Sequence, residues 1–239
     1  MPSQQLTEVV PNRIWTSTRA VWFSGVKLQS RSTVVRLSDG NLLLHSPPPP
    51  DEAMREALAA LGPVRWVIVP NCFHHLGAPA AAACFKDATV VGPATAQRHN
   101  KALRIDIDIH DRSLAASLAE FTFFPLRGVP FLDETVVYHH ATETLIGADL
   151  ALCAEPSDHW TWRWAARLMG CYQTLRVPPD VKKHLRDKAV TAQSLQAMLA
   201  VPIQRLLVGH ASIITDNVAA KLAAAWRREG VVVENTAAC

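Results

Sequence analysis

The chain has 239 residues, 49% of them apolar and 19% charged, with a formal net charge of +3; that composition supports a substantial core. No run of five Lys or Arg marks a nucleic-acid footprint or a membrane-surface patch, and no stretch approaches the roughly 18–20 apolar residues of a membrane span. The amino-terminal residues lack the cationic and apolar regions of a secretory signal, and the five cysteines are scattered without a CxxC pair, which argues against a disulfide framework or a zinc ribbon.

The first ~45 residues read as strands. Thr33 to Leu37 and Asn41 to His45 flank Ser38-Asp39-Gly40, a hairpin turn signal. Pro47 to Pro50 stop the second strand, and Asp51 opens a helix through about Leu61 with Met54, Leu58 and Leu61 on one face. The proline run reads as a stiff connector rather than an interaction motif. Arg65 to Val69 suits a fully buried strand. It ends in Pro70-Asn71-Cys72-Phe73-His74-His75-Leu76-Gly77, ahead of an alanine-rich helix from about Pro79 to Cys84, and Thr89-Val90-Val91 forms a further strand.

After a stretch without clear pattern, the runs Phe121 to Phe124, Glu134 to His139 and Thr144 to Gly147 read as a β-meander, with a turn at Ala141-Thr142-Glu143. The third run passes into Ala148-Asp149-Leu150. Helices are expected over about 158–170 and 180–200, followed by a buried strand from Arg205 to Val208 that ends in Gly209-His210. An amphipathic helix from about Asn217 to Arg228 comes last. This order predicts an α/β fold of two packed sheets with helices outside, in a single domain over residues 1–239.

Polar residues stand at three of these strand ends: His74 with His75, Asp149, and His210. Open α/β folds place their chemistry at such positions, and imidazole with carboxylate suits zinc, iron or manganese. Each residue also has a structural reading. A histidine behind a buried strand is commonly a hydrogen-bonded core residue, and an aspartate there a turn former.

The order of strand, histidine motif, meander, Gly-x-Asp, helices, strand and Gly-His resembles the metallo-β-lactamase superfamily over nearly the whole chain. That resemblance implies an αβ/βα four-layer sandwich with two metals. They would be held by an HxHxDH motif, a later histidine in a GHT-like turn, a bridging aspartate and a final histidine. In this sequence Pro70 and Cys72 stand at the first two histidines, His74 at the aspartate and His75 at the last histidine. Gly128-Val129-Pro130 stands at the GHT-like turn, Asp149 matches the bridging aspartate and His210 the terminal histidine. The three histidines of the first site are absent while His74, His75, Asp149 and His210 remain, so the resemblance implies at most one metal. An uncharacterised branch, a domain of unknown function, is similar in its TVVRL-DG-L-LHSP start, PN-FHHL core, E-VV(Y/F)H strand and TLI--ADL ending. These stand here at Thr33 to Leu37 with Asp39-Gly40, Leu44 to Pro47, Pro70 to Leu76, Glu134 to His139 and Thr144 to Leu150.

The implied function is that of a metal-dependent hydrolase-like protein acting on an ester, thioester or amide. One divalent ion (zinc, iron or manganese) would sit on His74, His75, Asp149 and His210, with His74 and Asp149 as the catalytic groups. Two other readings compete: a non-catalytic protein that binds a small molecule or partner on the same fold, and a mononuclear iron redox protein. Glu134 and His139 fall on opposite faces of one strand, and either is a candidate to orient a ligand histidine. Cys72 reads as a buried thiol or as a remnant ligand of the first site. Trp160, Trp162 and Trp164 cannot share one helix face. Two of them are expected in the core, and at least one at a pocket mouth or at a subunit contact of a homo-oligomer. The expected setting is the reducing cytoplasm, with a small-molecule substrate or ligand and neither nucleic acid nor membrane as partner.

Overall fold

A computed structural model describes residues 5–233; Cys239 and the first four residues of the segment read above for a secretory signal lie outside them. The strands form a seven-stranded sheet in the order β1-β2-β3-β4-β5-β6-β7 and a four-stranded sheet in the order β11-β10-β9-β8. The chain divides into two compact units, Met1–Val21 with Gln29–Glu120, and Trp22–Leu28 with Phe121–Cys239. No helix among the described residues is long and apolar enough to cross a membrane.

The strands β1 (Thr7–Val10), β2 (Ile14–Phe23), β3 (Val26–Arg36) and β4 (Leu42–His45) lead the chain and, apart from Trp22–Leu28, belong to the first unit. The expected hairpin is present. β3 and β4 pair antiparallel from Thr33 opposite His45 to Arg36 opposite Leu42, and Gly40 takes the positive φ of +83° that the turn requires. From β4 onward the sheet is parallel, through β5 (Val64–Ile68), β6 (Thr89–Gly92) and β7 (Ile107–Asp108). Helix α1 (Glu52–Leu61) crosses from β4 to β5, and the Asp51 carboxylate caps it by accepting the Met54 N–H. Met54 and Leu58 of α1 are buried against Leu42, Leu44 and Val67; each contributes about 1.5–3 kcal/mol by leaving water.

Two expectations for this unit change. The run Arg65 to Val69 is not buried throughout, because Arg65 is exposed and Trp66 half-buried. Three short elements occupy the stretch that carried no pattern: α3 (Ala94–His99), β7 and α4 (Leu114–Ser117). None is long enough to show a period. Helix α2 (Ala78–Cys84) lies where the alanine run places it.

The second unit carries β8 (Phe121–Pro125), β9 (Thr135–His139) and β10 (Thr144–Ile146) as the expected meander, with a 3-10 turn at His140–Thr142. β11 (Arg205–Leu207) adds parallel to β10. Helix α5 (Trp160–Met169) and helix α8 (Val218–Arg227) match their expected spans. The single helix expected over 180–200 is two, α6 (Pro179–Lys183) and α7 (Lys188–Leu199). The break has a cause: the Asp187 carboxylate accepts the Val190 N–H and starts a new helix, while the backbone N–H of Arg186 donates to the Gly128 carbonyl. Trp162 alone of the three tryptophans is buried, whereas Trp160 and Trp164 are 66% and 64% exposed, so one and not two of them packs in the core.

Candidate functional site

In the first unit the site residues leave two neighbouring parallel strands. β4 ends at His45 and passes into Ser46; β5 ends at Ile68 and passes into the loop 69–77. The Ser46 N–H donates to the Ile68 carbonyl at 2.9 Å, extending the parallel ladder by one rung. Asn71, fully buried, accepts the N–H groups of Phe73 and His74 on its Oδ1 at 2.8 Å each, so it shapes the turn as its residue type predicts. Gly77 closes the loop. A Cβ there would collide with the backbone of Pro47 and Pro48, so only glycine lets the two strand-end segments approach this closely.

The two adjacent histidines have different surroundings. His74 Nδ1 lies 2.8 Å from Ser46 Oγ. His75 is 8% exposed and its Nδ1 lies 3.3 Å from the Asn100 amide. Burial, with His99 as a second cause, holds the His75 ring below the ordinary imidazole pKa. His45 is buried, and burial followed by the nearby His74 pushes its pKa down to about 3, so the ring is neutral; its Nε2 has no hydrogen-bond partner among the described residues. Cys72 is a buried thiol that donates to Thr95 Oγ1 at 3.1 Å.

In the second unit, Asp149 and His210 come together at the ends of β10 and β11. The ladder continues past both strands, with the Gly147 N–H donating to the Leu207 carbonyl and the Gly209 N–H to the Ala148 carbonyl. Asp149 Oδ1 and His210 Nε2 are 3.5 Å apart, with side chains 15% and 13% exposed. Beneath them Glu134, fully buried, accepts the N–H of Ala148 on Oε1 at 2.7 Å and that of Asp149 on Oε2 at 2.8 Å. Glu134 therefore orients the aspartate's backbone. His139 is buried too, but its Nδ1 meets Thr142 Oγ1 at 2.8 Å in the 3-10 turn. Gly128, at the position of the GHT-like turn, has φ +85° and packs on Thr191.

Ser46, His45 and Asn100 were not singled out as site residues by sequence reasoning. A polar pair closing a buried strand just before Pro47 was the available signal for the first two. Asn100 had none, since it follows a helix too short to detect.

Residues 11–95 match the model of a family described as a domain of unknown function (DUF4336). No curated protein matches the chain. Among solved structures, a metallo-β-lactamase from Erythrobacter litoralis with β-mercaptoethanol in its active site is similar at a TM-score of 0.69 and 14% identity, over 95% of this chain and 98% of that one. The metallo-β-lactamase FIM-1 from Pseudomonas aeruginosa in its mono-zinc form is similar at 0.66 and 13% identity, over 96% and 97%. A metallo-β-lactamase from Pontibacter korlensis reaches 0.61 and 14%, over 96% and 97%. Two sheets, the helices between and after their strands, and these likenesses over nearly the full length establish that the chain carries the metallo-β-lactamase fold.

Proposed function

We propose that the protein is a metal-dependent hydrolase-like enzyme with a single divalent ion (zinc, iron or manganese) on His74, Asp149 and His210, acting on an ester, thioester or amide. The observation that carries this reading is the Asp149–His210 pair. A carboxylate and an imidazole, largely buried and 3.5 Å apart, form a donor pair suited to such ions. The buried Glu134 beneath them supplies the supporting contact that metal ligands commonly have. His74, at the aspartate position of the motif that the sequence resembles, is the third donor of the proposal.

Three protein ligands leave a fourth position for water or substrate, the arrangement of catalytic rather than closed structural ions. When bound, the ion would lower the pKa of water enough to supply a hydroxide near neutral pH. The chain's own residues do the rest. Asp149 and His210 would hold the ion from adjacent strand ends, and the Asp149 carboxylate would accept the proton of the attacking water. His75, its Nδ1 engaged by Asn100, supports the loop beside His74. Pro70, Cys72 and the Gly128-Val129-Pro130 turn offer no imidazole for a second ion, which favours a mononuclear site; FIM-1 in its mono-zinc form is a precedent for one ion on this fold.

The test is to count metals per chain by mass spectrometry on protein purified without a metal-binding tag, beside Asp149→Ala, His210→Ala and His74→Ala. One ion per wild-type chain, lost in the variants, with ester or thioester hydrolysis abolished by a chelator, is the expected result. No ion after incubation with zinc, iron and manganese would overturn the proposal.

A further inference from the structure

We infer that Ser46 is the positioning residue for His74: its hydroxyl sets the ring orientation and tautomer, and so assigns Nε2 of His74 to the metal. This inference rests on the metal-site reading above, and adds to it a residue outside the proposed ligand set.

The argument begins with the backbone. Ser46 has φ +51°, in the left-handed region, which a residue with a Cβ enters at an energetic cost. It also precedes Pro47, and a residue before proline is normally driven to extended conformations. Glycine or asparagine would be the easy solution there. A serine held in this conformation points to a requirement for its side chain, since strained residues persist where their surroundings over-determine them.

Those surroundings are identifiable. The Ser46 N–H is pinned to the Ile68 carbonyl, and Gly77 lets the loop 69–77 close against Pro47 and Pro48. The outcome is a 2.8 Å contact between Ser46 Oγ and His74 Nδ1. On the other side, Asn71 holds the backbone N–H of His74. The histidine's main chain and its ring are thus each gripped by a polar side chain from a strand end. In a neutral imidazole one nitrogen carries the proton and the other the lone pair. A serine hydroxyl can donate or accept, and a ligating Nε2 must carry the lone pair, so in the inferred arrangement Nδ1–H donates to Ser46 Oγ and Nε2 is left to ligate.

Two substitutions separate positioning from packing. Ser46→Gly removes the hydroxyl and accepts the left-handed backbone freely, whereas Ser46→Ala removes the hydroxyl and keeps the strain. Zinc affinity, measured by chelator competition, is expected to fall about 10–100-fold in both, while the metal-free Ser46→Gly protein melts no lower than the wild type. Unchanged zinc affinity in both variants would overturn the inference. A second readout needs no metal: long-range proton–nitrogen spectra of the histidine rings in the metal-free protein. His74 is expected as one Nδ1–H tautomer in the wild type and as a mixture in the variants. The same tautomer in all three proteins overturns the inference even if the wild type binds no zinc. A wild type that takes up no zinc but loses its tautomer preference on substitution would uphold the role of Ser46 and defeat the hydrolase reading alone.

Discussion

The carboxylate of Glu134 reaches Asp149 through the main chain, accepting its N–H at 2.8 Å on one oxygen and that of Ala148 at 2.7 Å on the other. Both oxygens are committed inside a buried pocket, so the loop that carries Asp149 is fixed before any ligand arrives. Glu134→Gln keeps the volume and shape but sets an amide N–H₂ against a backbone N–H donor. Two buried donors then lack acceptors, at a cost of about 1–3 kcal/mol each. Urea unfolding should show a loss in that range, and metal affinity should drop about 10–100-fold. A variant as stable and as metal-competent as the wild type would remove Glu134 from the site.

Gly77→Ala tests the closure of the first unit's strand ends. A methyl group there overlaps the Pro47 carbonyl and the backbone of Pro48, atoms that cannot turn aside as a flexible side chain would. Either the loop 69–77 shifts or the proline connector does. Overpacking of this kind costs about 1–3 kcal/mol, and the shift should lengthen the Ser46–His74 contact. Thermal melting and the His74 ring spectrum should therefore change together; a melting loss with an unaltered ring would separate the closure from the histidine.

The longer strands, the DG hairpin, the capped helix after Asp51 and the Gly-x-Asp and Gly-His turns were legible because each has a local cause, a period, a turn residue or a cap, whereas α3, β7 and α4 are too short to show one. The candidate donors were legible for the same reason, since they sit at strand ends. Three things were not. The break between α6 and α7 depends on Asp187 acting as a cap beside the Gly128 carbonyl, a contact made across a long stretch of sequence. The different surroundings of His74 and His75 depend on Ser46 and Asn100, which come from other elements. The direction of Glu134 toward main-chain N–H groups depends on β9 and β10 being paired. In each case the deciding partner is distant in sequence, and residue type names a capability without naming the partner.

The thiol of Cys171 provides a pH prediction away from the proposed donors. It is fully buried, and burial pushes its pKa up to about 11 from an ordinary value of 9.0. The folded chain keeps this proton where the unfolded chain releases it. The contribution to stability is therefore whole below pH 9 and is lost as pH rises from 9 toward 11, amounting to about 2–3 kcal/mol. Cys171→Ala should lower stability at pH 7.5 but flatten the decline between pH 9 and 10.5, read by urea unfolding at each pH. Parallel declines in the two proteins would assign the alkaline limb to other groups.

The tryptophan segment separates burial from composition within a few residues. Trp162 packs with Leu152, Ala154, Ala166 and Cys171, a cluster joined to the segment that runs on from Asp149, while Trp160 and Trp164 stand in solvent. Trp162→Ala removes a buried ring and leaves a cavity, which costs about 3–5 kcal/mol. Trp164→Ala should lie within about 0.5 kcal/mol of the wild type, as an exposed substitution away from any partner does. Because Leu152 also pairs with the strand extension at His210, the Trp162 variant should loosen the Asp149–His210 pair as well, seen as faster amide exchange at Cys153, whose N–H donates to the His210 carbonyl. Equal losses in the two variants would mean that Trp164 is covered in solution, and oligomeric state measured by light scattering on the Trp164 variant would then decide whether a second copy of the chain covers it.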